Sequence, residues 1–321
     1  MADTGAAGRG GGRGGGGGSR GGRRRGGKGR GGGRGGGDAQ AVERKMREEV
    51  PADAIGFVDT HVHLDTLCDR ARVSSYTGLV SKMHGFHARY EGCVGIFSDP
   101  GSLSPSFGLW PDHLAQPGVY GAFGCHPLHA AHYDERMEER IRECLLHERA
   151  VAWGEIGLDY SHLKFATKEQ QRHALVSQIA AAVACRKPII IHSRDSAKDM
   201  QDILKEHMPR EWKVQIHCFS DNIEVAKYYL TEFPNAYLGF TGMLTFRSAQ
   251  RLEEVVRYAP LNRLLLETDG PYLLPEQVGG KQPCHSGFCV YVAEKIAALK
   301  EIPVEEVYRQ CRENTREMYG I

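Results

Sequence analysis

Short apolar runs recur along the chain from about residue 55 to residue 267, and the stretches between them carry apolar residues at helical spacing. Eight of these runs have the length and composition of buried strands. The first of them starts in the apolar run Ile55–Val58. The predicted strands are Gly56–Asp59, Cys93–Phe97, Val119–Phe123, Val151–Gly154, Ile189–Ile191, Val214–Ile216, Ala236–Gly239 and Leu264–Glu267.

Amphipathic stretches alternate with these strands, and Glu169–Arg186, Asp195–His207 and Asn222–Phe233 are predicted helices. Short apolar strands that alternate with helices indicate an α/β fold with a parallel sheet and helices outside it. Eight such units in roughly 250 residues fit a closed (β/α)8 TIM barrel. An open doubly wound sheet is the alternative. Asp59-Thr60-His61 follows the first strand, where that fold would have a glycine-rich dinucleotide-binding turn, so the pattern favours the barrel.

The N-terminal segment, residues 1–37, differs in composition from the rest of the chain. It holds 21 of the 40 glycines, with eight Arg and one Lys against one Asp. Its net charge is +8, which leaves −7 on residues 38–321 because the whole chain carries +1. With almost no apolar side chains, this Arg/Gly-rich tail is predicted to be disordered and to contact nucleic acid. A solubilising extension without a dedicated partner is the alternative.

Residues 38–55 are the predicted linker, in which Ala39–Glu49 is a short helix or linker, and residues 56–321 are the predicted barrel domain. Nine cysteines without a C-x-x-C pair indicate free thiols in a reducing compartment. No apolar run approaches the ~18 residues that span a bilayer, so we expect an intracellular monomer without a membrane anchor. Arg23-Arg24-Arg25 suits either nuclear import or nucleic-acid contact, which leaves nucleus and cytoplasm open.

Histidines and carboxylates stand just after six of the predicted strands. They are His61 and His63 (first), His126 (third), Glu155 and Asp159 (fourth), His192 with Arg194 (fifth), His217 (sixth) and Asp269 (eighth). In a TIM barrel these positions converge at the C-terminal mouth, where active sites lie. A single His or Asp at such a position is usually structural or a helix cap. Charged groups gathered at one mouth, however, require a counter-ion, which metal ions supply.

The candidate metal ligands are His61, His63, Glu155, His192, His217 and Asp269. Imidazole and carboxylate ligands without thiolate suit catalytic Zn²⁺, Mn²⁺, Co²⁺ or Mg²⁺. Six ligands exceed what one tetrahedral ion uses, so two divalent ions about 3.5–4 Å apart, bridged by one carboxylate, are expected. Such a pair generates hydroxide for hydrolysis. Arg194 and His126 would lie near the ions without being needed as ligands, and Arg194 suits a phosphate oxygen.

These residues stand in motifs that closely resemble the TatD family of metal-dependent deoxyribonucleases, within the amidohydrolase-like barrels. The motifs are Asp59-Thr60-His61-Val62-His63-Leu64-Asp65, Gly124-Cys125-His126-Pro127, Gly154-Glu155-Ile156-Gly157-Leu158-Asp159, Ile191-His192-Ser193-Arg194, His217-Cys218-Phe219 and Glu267-Thr268-Asp269-Gly270-Pro271-Tyr272. Asn314-Thr315 resembles the C-terminal signature of the family. The resemblance covers the chain from about Gly56 to the C-terminus, and it is strongest to vertebrate members with a long unstructured N-terminal region.

The resemblance implies a role for each ligand. One ion would be held by His61, His63, Glu155 and Asp269, and Glu155 would bridge to a second ion held by His192 and His217. Family members cleave phosphodiesters in DNA, commonly from the 3′ end. Two loops depart from the family: Asp221 stands where Gly is usual, and Gly279–Cys284 replaces an Arg- and Lys-rich loop. Both departures concern the identity of the substrate rather than catalysis.

We therefore predict a divalent-metal-dependent nuclease acting on DNA, with RNA as a second candidate, through a hydroxide activated by two metals. Asp269 would orient or deprotonate the nucleophile, and Glu155 would bridge the ions. Arg194 and His126 would hold phosphate oxygens. Asp159 would contact substrate or, with Glu267, orient ligand imidazoles. One rival is a metal-dependent amidohydrolase or lactonase, against which the tail argues, as does Glu155 in place of a carbamylated lysine. The other rival is a non-catalytic nucleic-acid-binding protein, against which the complete ligand set argues.

Overall fold

Eight parallel strands form a ring in the computed structural model, which describes residues 39–83, 86–104 and 108–321. The strands are β1 (Phe57–Val62), β2 (Tyr90–Phe97), β3 (Val119–Phe123), β4 (Ala150–Asp159), β5 (Ile189–Arg194), β6 (Val214–Ile216), β7 (Ala236–Phe240) and β8 (Leu264–Leu266). Each strand pairs with the next one along the chain. Just past β8, the Asp269 amide donates to the His61 carbonyl at 2.9 Å, which joins the last strand to the first. The predicted TIM barrel is confirmed, while the prediction of a disordered tail concerns residues outside those described.

The strands extend further than the apolar runs from which they were predicted. β4 and β5 stay in register through the pairs Gly157 with His192 and Asp159 with Arg194. Several site residues that were predicted to follow their strands therefore lie inside them, because backbone pairing continues after the side chains become polar. The N-terminal end of β1 was predicted too early, because the apolar run that predicts the strand starts at Ile55. Ile55 is 41% exposed, and the strand begins at Phe57.

Helices connect the strands and cover the outside of the ring. They are α1 (Ala39–Met46), α2 (Leu64–Ala71), α3 (Tyr76–Lys82), α4 (Trp110–Leu114), α5 (Glu135–Cys144), α6 (Lys168–Ala184), α7 (Ala197–His207), α8 (Ile223–Glu232), α9 (Gln250–Tyr258), α10 (Cys289–Lys300) and α11 (Val304–Tyr319). The three predicted helices correspond to α6, α7 and α8. Within the ranges given above, no helix is both long and apolar enough to cross a membrane.

A helix lies within the predicted linker, residues 38–55. Val42 and Met46 of α1 pack against the hydrophobic core. Lys45 forms ion pairs with Glu48 and with Glu294 of α10. This part of the predicted linker is therefore attached to the barrel by apolar packing as well as by surface charge.

The barrel interior is filled by side chains rather than left open. Its cluster contains Val94, Ile96, Ala122, Ala152, Ile190 and Leu265 from five strands, together with Met318 and Tyr319 of α11. The Tyr319 hydroxyl donates to Gln215 of β6, which in turn donates to Thr60 of β1 at 3.3 Å. Helix α11 therefore contributes to the interior of the ring. All nine cysteines are free thiols.

Candidate metal centre

The six predicted metal ligands come together at the carboxyl ends of the strands. They are His61 in β1, His63 directly after it, Glu155 in β4, His192 in β5, His217 after β6 and Asp269 after β8. A pocket of 630 Å³ opens over them, and His126, Asp159 and Arg194 also line it. All of these residues except His61, which is fully buried, line this one cavity.

Glu155 lies between two groups of imidazoles and is 1% exposed. Its Oε2 atom is 3.7 Å from Nε2 of His61 and 3.7 Å from Nε2 of His63. Its Oε1 atom is 2.8 Å from Nδ1 of His192 and 2.9 Å from Nε2 of His217. Each carboxylate oxygen therefore faces a different pair of histidines, which is the arrangement that a bridging carboxylate needs.

Asp269 faces the first of these groups. Its Oδ1 atom is 3.3 Å from Nε2 of His63 and 3.8 Å from Nε2 of His61. The residue has a left-handed backbone, with φ of 51°, a conformation that is unfavourable for a non-glycine residue. The hydrogen bond from its amide to the His61 carbonyl holds this turn against β1. The local strain therefore coincides with the point at which the carboxylate is aimed into the pocket.

Several buried polar atoms at this centre lack a hydrogen-bond partner among the described residues. They are both ring nitrogens of His61, Oε2 of Glu155, Nε2 of His192, Nδ1 of His217 and Oδ1 of Asp269. An unpaired buried donor or acceptor costs roughly 1–3 kcal/mol, so such atoms rarely gather without a ligand. Three groups can each converge on one ion: His61, His217 and Asp269; His61, His63 and Glu155; His126, Glu155 and His192. The donor set fits divalent metals that accept nitrogen and oxygen.

Burial and the neighbouring charges set the protonation of this cluster. Burial lowers the pKa of His61 well below its usual value, so its imidazole is neutral. Burial alone would raise the pKa of Glu155, but the surrounding histidines outweigh it and hold this pKa well below the usual range. Burial would also lower the pKa of His192, yet the carboxylates of Asp159 and Glu155 raise it to about 9. A cation is therefore favoured beside Glu155, and a bound metal would replace the proton of His192.

His126 presents a donor rather than a lone pair to the pocket. Its Nδ1 accepts a hydrogen bond from the Leu128 amide at 3.1 Å, which places the proton of the neutral ring on Nε2. Nε2 lies 3.7 Å from Oε1 of Glu155. Burial lowers the pKa of His126 to about 3, so the ring stays neutral. This tautomer suits a hydrogen bond to a substrate oxygen better than metal ligation.

Asp159 and Arg194, both predicted to contact substrate, have different surroundings. Asp159 is 3% exposed; its carboxylate accepts from the Ser161 amide at 2.9 Å and lies 3.4 Å from Nε2 of His192. These contacts favour the orienting role over substrate contact. Arg194 is exposed at the pocket rim, and its guanidinium forms no hydrogen bond or ion pair with any residue in the described ranges.

Buried amide and carboxyl groups behind the centre hold its segments in place. Gln178 of α6 accepts from the Cys125 amide at 2.7 Å and donates to the Cys125 carbonyl at 3.2 Å, next to His126. Glu267, predicted as an orienting residue, accepts from the Cys218 amide, next to His217. A Cβ at position 239 would overlap the Glu267 carboxylate, so Gly239 leaves it room. The sequence analysis missed Gln178, because a polar residue on an amphipathic helix carries no chemical signature.

Known proteins resemble this chain over most of its length. The family described as "TatD related DNase" matches residues 58–320. The human 3′-5′ RNA nuclease TATDN2 is 37% identical over 273 residues, which is 83% of this chain and 35% of the human protein. This chain therefore spans about a third of that relative's length. The metal-dependent hydrolase YabD of Bacillus subtilis is 40% identical over 203 residues, covering 63% of this chain and 78% of YabD.

A solved structure of similar fold is a TatD family hydrolase from Entamoeba histolytica. It superposes with a TM-score of 0.69 at 20% identity and covers 83% of this chain and 98% of that one. At this identity the superposition supports the fold alone. The family match, in contrast, runs from the second residue of β1 through α11 and contains all six candidate metal ligands. The chain therefore belongs to the TatD-related DNase family.

Proposed function

We propose that this protein is a nuclease that hydrolyses phosphodiester bonds in DNA or RNA with the help of two divalent metal ions. The observation that carries this proposal is the position of Glu155, whose two oxygens face two separate pairs of histidines. Two ions joined by one carboxylate are typical of enzymes that cleave phosphodiesters. The family description and the name of the human relative both indicate nucleic-acid substrates, one DNA and the other RNA.

The histidines divide between the two ions according to which oxygen of Glu155 each one faces, and Asp269 lies beside the first pair. His61, His63, Asp269 and Oε2 of Glu155 would hold one ion, and His192, His217 and Oε1 of Glu155 would hold the other. When bound, the ions supply an acidified water and neutralise charge on the phosphate. Zn²⁺, Mn²⁺, Co²⁺ and Mg²⁺ all remain compatible with nitrogen and carboxylate ligands.

Side chains around the ions bind the phosphate, orient the attacking water and hold a ligand imidazole in place. His126 donates from Nε2 to a non-bridging phosphate oxygen, since its Nδ1 is already occupied by the Leu128 amide. Arg194, whose guanidinium has no hydrogen-bond or ion-pair partner among the described residues, contacts a second phosphate oxygen. Asp269, 14% exposed at the side chain, orients the attacking water and accepts its proton. Asp159 holds the ring of His192 in the orientation in which Nδ1 faces Glu155.

The direction of cleavage that we propose is from the 3′ end. The name of the human relative describes 3′-5′ nuclease activity, and this relative shares 37% of residues over the aligned region. The family match covers residues 58–320, so we propose that the strand polarity is set by the pocket and not by the N-terminal tail.

The test is hydrolysis of 5′-end-labelled single-stranded DNA and a matched RNA by metal-stripped protein to which Mg²⁺, Mn²⁺, Co²⁺ or Zn²⁺ is returned. We expect metal-dependent shortening from the 3′ end by the unmodified protein. Glu155→Ala should reduce metal affinity and activity by at least ~100-fold, because it removes the carboxylate shared by both ions. Arg194→Ala should bind metal normally and lose about 10- to 100-fold in kcat/KM.

Metal binding is measured by calorimetry beside the cleavage assay, so that the two variants separate ligation from substrate contact. Absence of cleavage of both the DNA and the RNA with every metal would contradict the proposed function. Equal loss of metal affinity in Arg194→Ala and Glu155→Ala would contradict the division of roles between these residues.

A further inference from the structure

The segment between β4 and α6 exposes apolar side chains beside the pocket. We refer to residues 160–166 as the β4 loop. Leu163 is 40% exposed and Phe165 is 54% exposed, while His162 of the same loop lines the pocket. The rings of His162 and Phe165 are 6.4 Å apart. An aromatic surface therefore continues from the rim of the metal centre outward.

Hydrogen bonds fix the position of this loop. Gln171 of α6, which is fully buried, accepts from the Asp159 amide at 2.7 Å and donates to the carbonyls of Asp159 and Ala166 at 2.9 and 3.1 Å. Within the loop, the Phe165 amide donates to the His162 carbonyl at 3.2 Å. Both ends of the loop are thus tied to one side chain. The exposed ring belongs to a preorganised surface, which a ligand can contact without ordering it first.

Two aromatic rings of the β4 loop each have one lysine over them. Nζ of Lys164 lies 4.8 Å from the centre of the Phe165 ring, and Nζ of Lys168 lies 4.1 Å from the centre of the Tyr160 ring. Neither ammonium forms an ion pair with a carboxylate in the part of the chain that the structure describes. The nearby Asp199 carboxylate is already paired with Arg172 at 3.1 Å. The surface therefore combines aromatic faces with unpaired positive charge.

We propose that Phe165 is a stacking platform for one base of a single-stranded nucleic-acid substrate, at a nucleotide flanking the one cleaved. Lys164 and Lys168 contact the phosphates on either side of that base. Aromatic rings interleaved with cations are the usual surface for unpaired bases, because every base has a face that can stack. Two apolar side chains are too few for a stable protein interface, which buries ~800 Å² on each partner.

This inference rests on the proposed nuclease function. It adds the path that the bound strand follows outside the pocket. A base in a duplex is stacked on its neighbours and has no free face for Phe165. The platform therefore makes single-stranded substrates the preferred class. It also makes binding depend on nucleotides outside the cleaved bond, so a strand longer than the pocket binds better than a minimal diester.

The test compares Phe165→Ala and Phe165→Tyr on two substrates: a single strand of roughly 12 nucleotides, and bis(p-nitrophenyl) phosphate, which has no nucleotide flanking the cleaved bond. Loss of one stacked base is expected to raise KM for the strand about 10-fold in Phe165→Ala and to leave kcat unchanged. Hydrolysis of the small diester stays at the level of the unmodified protein. Phe165→Tyr, which keeps an aromatic face, retains the normal KM. The control Leu146→Ala removes an 86% exposed apolar residue that precedes β4, at the opposite end of the barrel, and is expected to change neither substrate.

Scanning an abasic nucleotide along the strand identifies the base that is involved. With the unmodified protein, an abasic nucleotide at one position is expected to raise KM as much as Phe165→Ala does. With Phe165→Ala, the abasic nucleotide at that position is expected to have no further effect on KM. Equal KM values for Phe165→Ala and the unmodified protein, or abasic effects that add in full to the mutation, would overturn the platform while the nuclease remains. Lack of hydrolysis of both substrates by the unmodified protein would instead overturn the proposed function.

Discussion

Two histidines of the pocket show how far the surroundings of a residue decide its chemistry. Burial lowers the pKa of His126 to about 3, and its ring accepts a hydrogen bond from the backbone amide of Leu128. Partial burial of His192 acts in the same direction, but the carboxylates of Asp159 and Glu155 raise its pKa to about 9. The two rings are 4.7 Å apart at their centres. One is therefore a neutral hydrogen-bond donor and the other a site for positive charge, although both stand at strand ends in the sequence.

A third histidine, His285, provides a prediction on pH. Its Nδ1 accepts from the Gly287 amide at 3.2 Å and its ring lies 3.9 Å from Phe288, away from the metal centre. Burial lowers its pKa to about 3, whereas in the unfolded chain it is about 6.5. The unfolded state alone takes up this proton as the pH falls from 6.5 to 3. The stabilisation by neutral His285 is therefore complete above pH ~6.5 and is lost progressively below it.

Replacing His285 by Asn keeps an acceptor for Gly287 and removes the titrating group. Between about pH 7.5 and pH 5, metal-free His285→Asn is expected to lose roughly 2 kcal/mol less unfolding free energy than the unmodified protein. Denaturant unfolding at both pH values measures the difference. The exposed His132, changed to Asn in the same way, serves as the control. Identical pH dependence in His285→Asn and in the unmodified protein would show that the buried ring does not resist protonation.

At the scale of elements, α6 does more than cover the sheet. Gln171 and Gln178 are seven residues apart, which is close to two helical turns, so they lie on one face of the helix. Gln171 binds the backbone at the end of β4, and Gln178 binds the backbone just after β3. The Trp153 indole also donates to Gln178 at 3.3 Å. A single helix thus positions both the segment of His126 and the loop of Phe165.

Gln178→Leu is expected to destabilise the barrel, because it preserves approximate volume and leaves the Cys125 amide, the Cys125 carbonyl and the Trp153 indole without a partner. Each unpaired group costs roughly 1–3 kcal/mol, so the free energy of unfolding should fall by about 3 kcal/mol or more. Denaturant unfolding of the metal-free protein is the measurement. Gln250→Leu, at an exposed position at the start of α9, should change it by less than about 0.5 kcal/mol. A loss below about 1 kcal/mol in Gln178→Leu would mean that water replaces the amide.

The whole molecule divides its charge between two parts. Residues 1–37 carry +8 and the remainder carries −7. A polyanionic substrate is therefore attracted by the tail and repelled by the average charge of the barrel, except near Arg194 and the β4 loop. We expect the tail to raise the local concentration of nucleic acid rather than to choose the bond that is cut.

Deleting residues 1–37 is the corresponding prediction. Affinity for a long strand should fall, and the slope of log K against log salt should become shallower by roughly 0.7 for each phosphate that the tail would otherwise neutralise. Turnover of a short oligonucleotide should stay within about twofold, because the pocket is unchanged. Binding is titrated at several salt concentrations, with a tail in which Arg is replaced by Lys as the charge-matched control. Loss of turnover on the short oligonucleotide would contradict this division of labour.

Agreement between sequence and structure is greatest where local periodicity and covalent spacing carry the information. All eight predicted strands are present in the structure. A parallel strand that is covered on both faces consists of a short apolar run bounded by polar residues, and this signal lies within the strand itself. The ends were less accurate, as at Ile55 and in β4 and β5. Pairing with a neighbouring strand, which extends strands beyond their apolar part, is a long-range interaction that no local window contains.

Strand order and the residues at the strand ends are properties of the amino-acid sequence, so the barrel and the set of residues at its mouth could be predicted from it. The tertiary structure alone decided which oxygen of Glu155 faces which histidines, which nitrogen of His126 carries the proton, and that Asp159 serves His192. It also decided that Gln178 supports the centre and that Phe165 is held exposed beside it. These properties depend on distances and burial between residues far apart in the chain, and only packing sets both.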